Sequence, residues 1–159
     1  MNQAQLAQVR ELMQQHRFCV IATATADGRP WVTPVFYNYD ETTLAMVWES
    51  DRTAKHSQLI AANPLTAIVI SDMKAVTGAY FECRAAEVAE ERLEDALERF
   101  NHGVHKKRER KDRTRDDYTG AKPLRLYEAR PYAAYLMSDK KLVDGYEVDD
   151  RVELDIFDA

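Results

Sequence analysis

The common catalytic signatures are missing from this chain of 159 residues. It holds no GxGxxG, no GxxxxGK(S/T), no GxSxG and no HExxH, which removes the usual dinucleotide, nucleoside-triphosphate, serine-hydrolase and zinc-protease readings. Cysteine is scarce. Cys19 and Cys83 are the two present and follow no metal or redox spacing, so there is no disulfide framework and a reducing compartment fits. Cys19 lies in the apolar run 18–22 and reads as a small buried hydrophobe. Positive charge is in deficit, with 22 Lys and Arg against 27 Asp and Glu and a net charge of -5; the molecule offers no overall basic field to nucleic acid. No apolar run is long enough to span a bilayer, and the N-terminal MNQAQLAQVRELMQQHR lacks the apolar core of a signal peptide. A soluble, cytoplasmic protein without a membrane partner is expected. The four histidines, His16, His56, His102 and His105, form no ligand cluster by spacing. No metal site is expected, and His102 with His105 reads as a solvated pair.

The patterns that are present alternate between helix and strand. Leu6, Val9, Leu12 and Met13 recur at helical spacing and predict an amphipathic helix over 3–16. FCVIATAT (18–25) is rich in strand formers and runs into the turn pair Asp27-Gly28. In PWVTPVFYNYD (30–40), Trp31, Thr33, Val35, Tyr37 and Tyr39 alternate with Val32, Pro34, Phe36 and Asn38, the period of a strand. Pro34 cannot donate a ladder hydrogen bond, so it marks an edge, a bulge or a place where something other than a strand lies alongside. TTLAMVWES (42–50) predicts a third strand, paired to the second through the turn around Asp40-Glu41. A short helix over 51–64 follows, with Ser50 or Asp51 as N-cap and Asn63-Pro64 as stop. Strands at 65–72 and 79–89, a helix over 90–101, and strands at 124–137 and 151–157 complete the reading. Short hairpin-linked strands with segregated helices give an α+β class, and six or seven strands in a meander bury both faces most easily by curling into a small barrel.

Two segments carry possible chemistry. WESDRTAKHSQL places Ser50, Arg52, Thr53, Lys55 and His56 where a strand gives way to a helix. Hydroxyls, cations and free backbone N–H groups at a helix start suit a phosphate, although a solvated helix start has the same composition. Residues 105–117 hold seven Lys or Arg against four Asp or Glu. Interleaved charge of this kind reads as a solvated segment with local ion pairs, the sharper alternative being a mobile arm that attracts an anionic substrate.

Taken in order, P-W-V-T-P-V-F-Y, W-E-S, T-A-K-H-x-x-L-x-x-x-N-P and L-T-A-I-V-I resemble the pyridoxamine-phosphate-oxidase-like FMN-binding split barrels, over most of residues 10–157. In that family a Ser/Thr-x-Lys motif shortly before Asn-Pro holds the flavin phosphate; Thr53 and Lys55 match it, with Leu59 and Asn63-Pro64 in register. The resemblance implies an antiparallel six- to seven-stranded split β-barrel with peripheral helices, one domain over 1–159, and a homodimer with FMN between the subunits. Carried over, Thr33, Pro34 and Val35 would lie along the flavin ring, with the Val35 N–H free to donate to it. Trp48, Glu49 and Ser50 would approach the ribityl chain; Arg52, Thr53 and Lys55 would hold the phosphate.

Two departures stand out. Ala54 replaces an arginine that would precede the phosphate lysine, so Arg52 or His56 would have to supply its charge. The chain also lacks the arginine-rich substrate signature and the Arg-Leu-x-Pro ending of the true oxidases, and finishes VELDIFDA, so pyridoxamine phosphate is not the expected substrate. An FMN-dependent oxidoreductase of a small molecule is the expectation. The alternatives are a non-catalytic flavin- or haem-binding protein and a deazaflavin-dependent reductase.

Overall fold

The computed structural model describes residues 3–105 and 111–156. The part of the charged segment at 106–110 and the end of the expected last strand at Phe157 lie outside the described residues. Helix α1 (Gln3–Gln15) leads into β1 (Phe18–Ala24), β2 (Pro30–Phe36), β3 (Asn38–Tyr39) and β4 (Met46–Asp51). Helix α2 (Lys55–Ala62), β5 (Leu65–Asp72) and β6 (Thr77–Glu87) follow. A 3₁₀ turn (Glu90–Arg92), α3 (Leu93–His102), a second 3₁₀ turn (Arg115–Tyr118) and the long hairpin of β7 (Leu124–Val143) and β8 (Tyr146–Leu154) end the described chain. None of these helices is long and apolar enough to cross a membrane.

The strands form one antiparallel sheet in the order β2-β1-β5-β6-β7-β4-β3, with β8 on β7. β2 and β3 sit at opposite ends of that order, yet only Tyr37 separates them in the chain. One extended segment therefore supplies both ends of the sheet, which must curl to bring them together. The result is an α+β split barrel, as the strand pattern predicts. The count is eight because the single strand expected over 30–40 breaks at Tyr37, whose N–H donates to the Arg17 carbonyl at 3.3 Å.

Register explains which residues are inside. Thr33, Ile21, Ile68, Phe81, Ala134 and Leu154 are successive cross-strand partners and form one inward row. All but Thr33 are buried core residues. The adjacent row, Pro34, Val20, Val69, Tyr80 and Tyr135, points the other way. Helix α1 covers the core with the four residues its periodicity selects, Leu6, Val9, Leu12 and Met13. A second cluster joins Val47 and Leu126 to Leu93, Ala96, Leu97 and Phe100 of α3.

Several local expectations are corrected. The third strand starts at Met46 rather than 42, because the Asp40 carboxylate collects the Thr42 and Thr43 N–H groups and makes a wider turn. Helix α2 starts at Lys55, and neither Ser50 nor Asp51 caps it; the position before it is Ala54, with no side-chain cap. Asp51 instead accepts from the Thr53 N–H and hydroxyl, closing a turn before the helix begins. The helix expected over 90–101 opens as a 3₁₀ turn. The last strand begins at Tyr146, through a tight turn at Asp144-Gly145 with φ of 51° and 83°. Positive φ at both central residues is the hairpin turn that Asp-Gly favours.

Asn38 is fully buried, and its amide joins the two clusters. Its Nδ2 donates to the carbonyls of Phe100 and His105, and its Oδ1 accepts from the His105 N–H at 2.7 Å. Gly103 lies so close that an added Cβ would fall 2.6 Å from Asn38 Cγ. Asn38→Leu removes three buried hydrogen bonds to the backbone, so urea unfolding should report a loss of about 3 kcal/mol or more with an unchanged m-value.

Candidate functional site

The ladder phase decides what β2 offers at its open edge. Among the described strands, β2 pairs only with β1. Thr25 N–H donates to the Arg29 carbonyl at 3.0 Å, and Tyr37 N–H to that of Arg17, which marks both pairs as hydrogen-bonded. Counting by two between them, Trp31, Thr33 and Val35 turn their backbone groups to β1. Pro30, Val32, Pro34 and Phe36 turn theirs to the open edge. Both prolines thus stand where no ladder partner is lost, as expected of a protected edge. The expectation of a free Val35 N–H is corrected on the same ground: that group faces β1, and the N–H groups turned to the edge on either side of Pro34 are those of Val32 and Phe36.

Side chains alternate on the same strand. Thr33 and Val35 face inward, and Val35 packs against the core, whereas Pro34 faces outward. Trp31 shares the side of Thr33, and its indole N–H donates to the Thr33 hydroxyl at 2.9 Å. The Lys55 ammonium, at the start of α2, sits 3.9 Å from the centre of the Trp31 ring, within cation–π range. Lys55, Trp31 and Thr33 therefore form one connected group beside the open edge. The β2 alternation names Trp31 together with Thr33 and Val35; its contact with Lys55 is tertiary.

The remaining expected residues divide between two faces of β4. Trp48 is fully buried and stacks on Tyr127 with ring centres 5.9 Å apart. Its Nε1 is buried and has no hydrogen-bond partner among the described residues. Ser50 shares that face, and its hydroxyl lies 2.7 Å from His56 Nε2 and within reach of the Ser57 hydroxyl. Burial lowers the His56 pKa from its usual value and keeps the ring neutral. Glu49 projects to the opposite side, where the Arg113 Nε and the Tyr118 hydroxyl donate to its Oε2 at 2.7 and 2.8 Å. Trp48 and Ser50 are thus separated from Glu49. Arg52 and Thr53 are exposed at the turn before α2, and the Asp51 carboxylate engages both donors of Thr53.

The outward sheet face beside this edge is apolar and exposed. Val20, Val32 and Leu65 are 37, 61 and 48 % exposed, and Val20, Ala22, Val32, Ala67, Val69 and Tyr80 line a cleft of about 490 Å³. The exposed aliphatic residues of this face lie on β1, β2 and β5. The charged segment is tied down wherever it is described. Asn101 bonds both the N–H and the carbonyl of Arg113, and Arg115 pairs with Glu90 and Glu94. The two histidines there differ: His102 is exposed between Glu98 and Asp112, whereas His105 is buried against Phe36, Tyr37 and Tyr39. The reading of a solvated pair is corrected for His105. Both cysteines are buried, and burial pushes the Cys83 thiol up to about 12.

Residues 6–137 match the pyridoxamine 5'-phosphate oxidase family, and the chain belongs to it. No curated protein matches the sequence. Solved structures share the fold at low identity. A haem-binding protein from Mycobacterium smegmatis superposes with a TM-score of 0.64 at 19% identity, over 96% of this chain and 58% of that one. This chain thus spans little more than half of that relative. General stress protein 26 from Bacillus anthracis gives 0.56 at 15% identity, covering 82% of this chain and 92% of that one. HutZ, the haem storage protein of Vibrio cholerae, gives 0.55 at 17%, covering 79% and 88%.

Burial lowers the pKa of His56 and of His105 below the ordinary 6.5. The unfolded chain then binds more protons than the native one below that value, so stability is complete above it and falls as pH drops through it. Urea midpoints at pH 7.5 and 5.5 should show that fall, and it should shrink in His56→Asn.

Proposed function

We propose that the protein is an FMN-binding homodimer that acts as an FMN-dependent oxidoreductase of a small molecule. The observation that carries the reading is the group Lys55–Trp31–Thr33 at the start of α2, beside the open edge of β2. The residues present suit FMN: a cation and exposed donors for a phosphate, an edge N–H from Val32 for a ring acceptor, and an apolar wall at Val32 and Pro34 for the ring. Lys55 and Arg52 would hold the phosphate, and Thr53 would join them by exchanging its Asp51 contact for a phosphate oxygen. Arg52 stands three residues ahead of Lys55 on the same turn and is the available substitute for the arginine that Ala54 replaces. His56 is buried, neutral and engaged by Ser50, and so supplies no charge.

Ser50 and His56 brace the turn from behind. Trp48 and Glu49 act by position, Trp48 as core beneath the turn and Glu49 as the anchor of the Arg113 segment. The apolar face of β1, β2 and β5 is the surface that a second copy would cover, closing the edge between two subunits. Family members are often dimers, which agrees. When bound, FMN supplies the electron transfer, and the protein supplies binding, orientation and exclusion of water.

Haem is the second reading, because two structures of this fold are described as haem-binding or haem-storing. The visible spectrum of the purified protein separates the two: flavin absorption supports the proposal, and a Soret band overturns it. Lys55→Ala should weaken FMN more than riboflavin, by about 1.5–3 kcal/mol, because FMN alone carries the phosphate. Equal losses for the two ligands would place the phosphate elsewhere. Sedimentation should give a dimer at micromolar concentration, and Val32→Glu, which puts charge on the apolar face, should give monomer.

A further inference from the structure

A second cluster lies on the α3 side of the sheet, away from Trp48 and Ser50. Glu128 of β7 stands opposite Val47 of β4 and Ala86 of β6, and its side chain is only 5 % exposed. Three arginines converge on it. Arg92 donates from Nη1 and Nη2 to the two carboxylate oxygens, each at 3.1 Å. Arg99 donates from Nη1 to Oε2, also at 3.1 Å, and Arg130 donates from Nε to Oε1. Arg99 reaches on to Asp40, 3.5 Å away. Asp40 is itself occupied by the N–H groups of Thr42 and Thr43 and the Thr43 hydroxyl.

One forked arginine is enough to neutralise and satisfy a buried carboxylate. Among the described residues that line a cleft of about 480 Å³, three guanidiniums meet two carboxylates, Glu128 and Asp40, an excess of one positive charge (3 − 2 = 1). Bringing like charges together is unfavourable, so the surplus calls for an anion. The exposure is graded. Arg99 is 21 % exposed, Arg92 41 % and Arg130 59 %, so the outer guanidiniums open to the cleft while Glu128 holds their inner edges. Cations fixed in this way lose little freedom when they bind a planar oxyanion. The cleft exceeds the size of one oxyanion, and Ala45, Pro131 and Ile156 give it an apolar wall.

We propose that this cleft binds a small organic anion through its carboxylate or phosphate, with Arg130 and Arg92 as the ligating residues and Arg99 as a positioning residue. The site is independent of the flavin reading, because Glu128 packs on the α3 side of the sheet and Ser50 on the other.

Benzoate and phenyl phosphate offer the same apolar body on the two oxyanions and serve as probes for calorimetric titration of the full chain. Saturable binding of at least one is expected, and which one binds tells carboxylate from phosphate ligands. Arg130→Gln should weaken it about tenfold or more without lowering the melting temperature, since Arg92 and Arg99 still neutralise Glu128. Arg130→Lys, which keeps the charge and loses the fork, should fall between. Lys55→Ala should leave the affinity unchanged. The Nε–Hε resonances of Arg92 and Arg130 should shift during titration. Failure of both probes to saturate by about 10 mM, wild-type affinity in Arg130→Gln, or loss of binding in Lys55→Ala would each overturn the proposal. Should Arg130→Gln fail to fold, the arginine resonances of the wild-type protein decide.

Discussion

The barrel depends on one segment serving at both ends of the sheet. Residues 30–36 run along β1, and residues 38 and 39 pair with β4 at the far end of the strand order. The bend between them is possible because Tyr37 is buried, with its N–H on the Arg17 carbonyl and its hydroxyl on that of Met13. Asn38 then spends its amide on Phe100 and His105, so the end of α3 and the entry to the charged segment are fixed by the residue that closes the barrel. Gly103 follows from the same constraint. It is required by the closeness of Asn38 and not by its backbone angles, which any residue adopts.

Ladder phase links that closure to the candidate site. Once Tyr37 and Thr25 fix which β2 groups face β1, Pro30 and Pro34 fall on the outer edge. An edge that lacks the donors of Pro30 and Pro34 is poorly suited to another strand and better suited to a ligand. The outward row through Pro34, Val20 and Val69 makes the adjoining face apolar. The inward neighbours Trp31 and Thr33 meet Lys55. Edge, apolar face and cation thus come together because one strand alternates between two environments.

Charge is organised as tightly as the apolar core. Glu49 and Glu128 project from neighbouring strands toward α3 and the segment after it, and arginines from outside the sheet close over both: Arg113 on Glu49, Arg92 and Arg99 on Glu128. Each removes a buried carboxylate that would otherwise be costly. The Arg113–Glu49 pair also fastens the segment at 111–118, so a composition that suggests a free polar arm instead forms part of the cover of β4 and β7.

Local chemistry was legible in the sequence. The four core residues of α1, the Asp27-Gly28 hairpin, the alternation through Trp31, Thr33 and Val35, and the α+β barrel class all follow from side-chain period and turn residues within a few positions. The Asp144-Gly145 turn carries the same local signal. Tertiary structure decided the rest. Pro34 by itself allows an edge, a bulge or a ligand alongside; that β2 is an edge depends on β4 pairing with β7, about 80 residues away. Nothing around Glu49 tells that it points away from Ser50 toward Arg113, or around His105 that three aromatic rings enclose it. Periodicity assigns a residue to one of two faces, but what covers each face comes from distant parts of the chain, and a charge reveals its partner only when the fold has buried both.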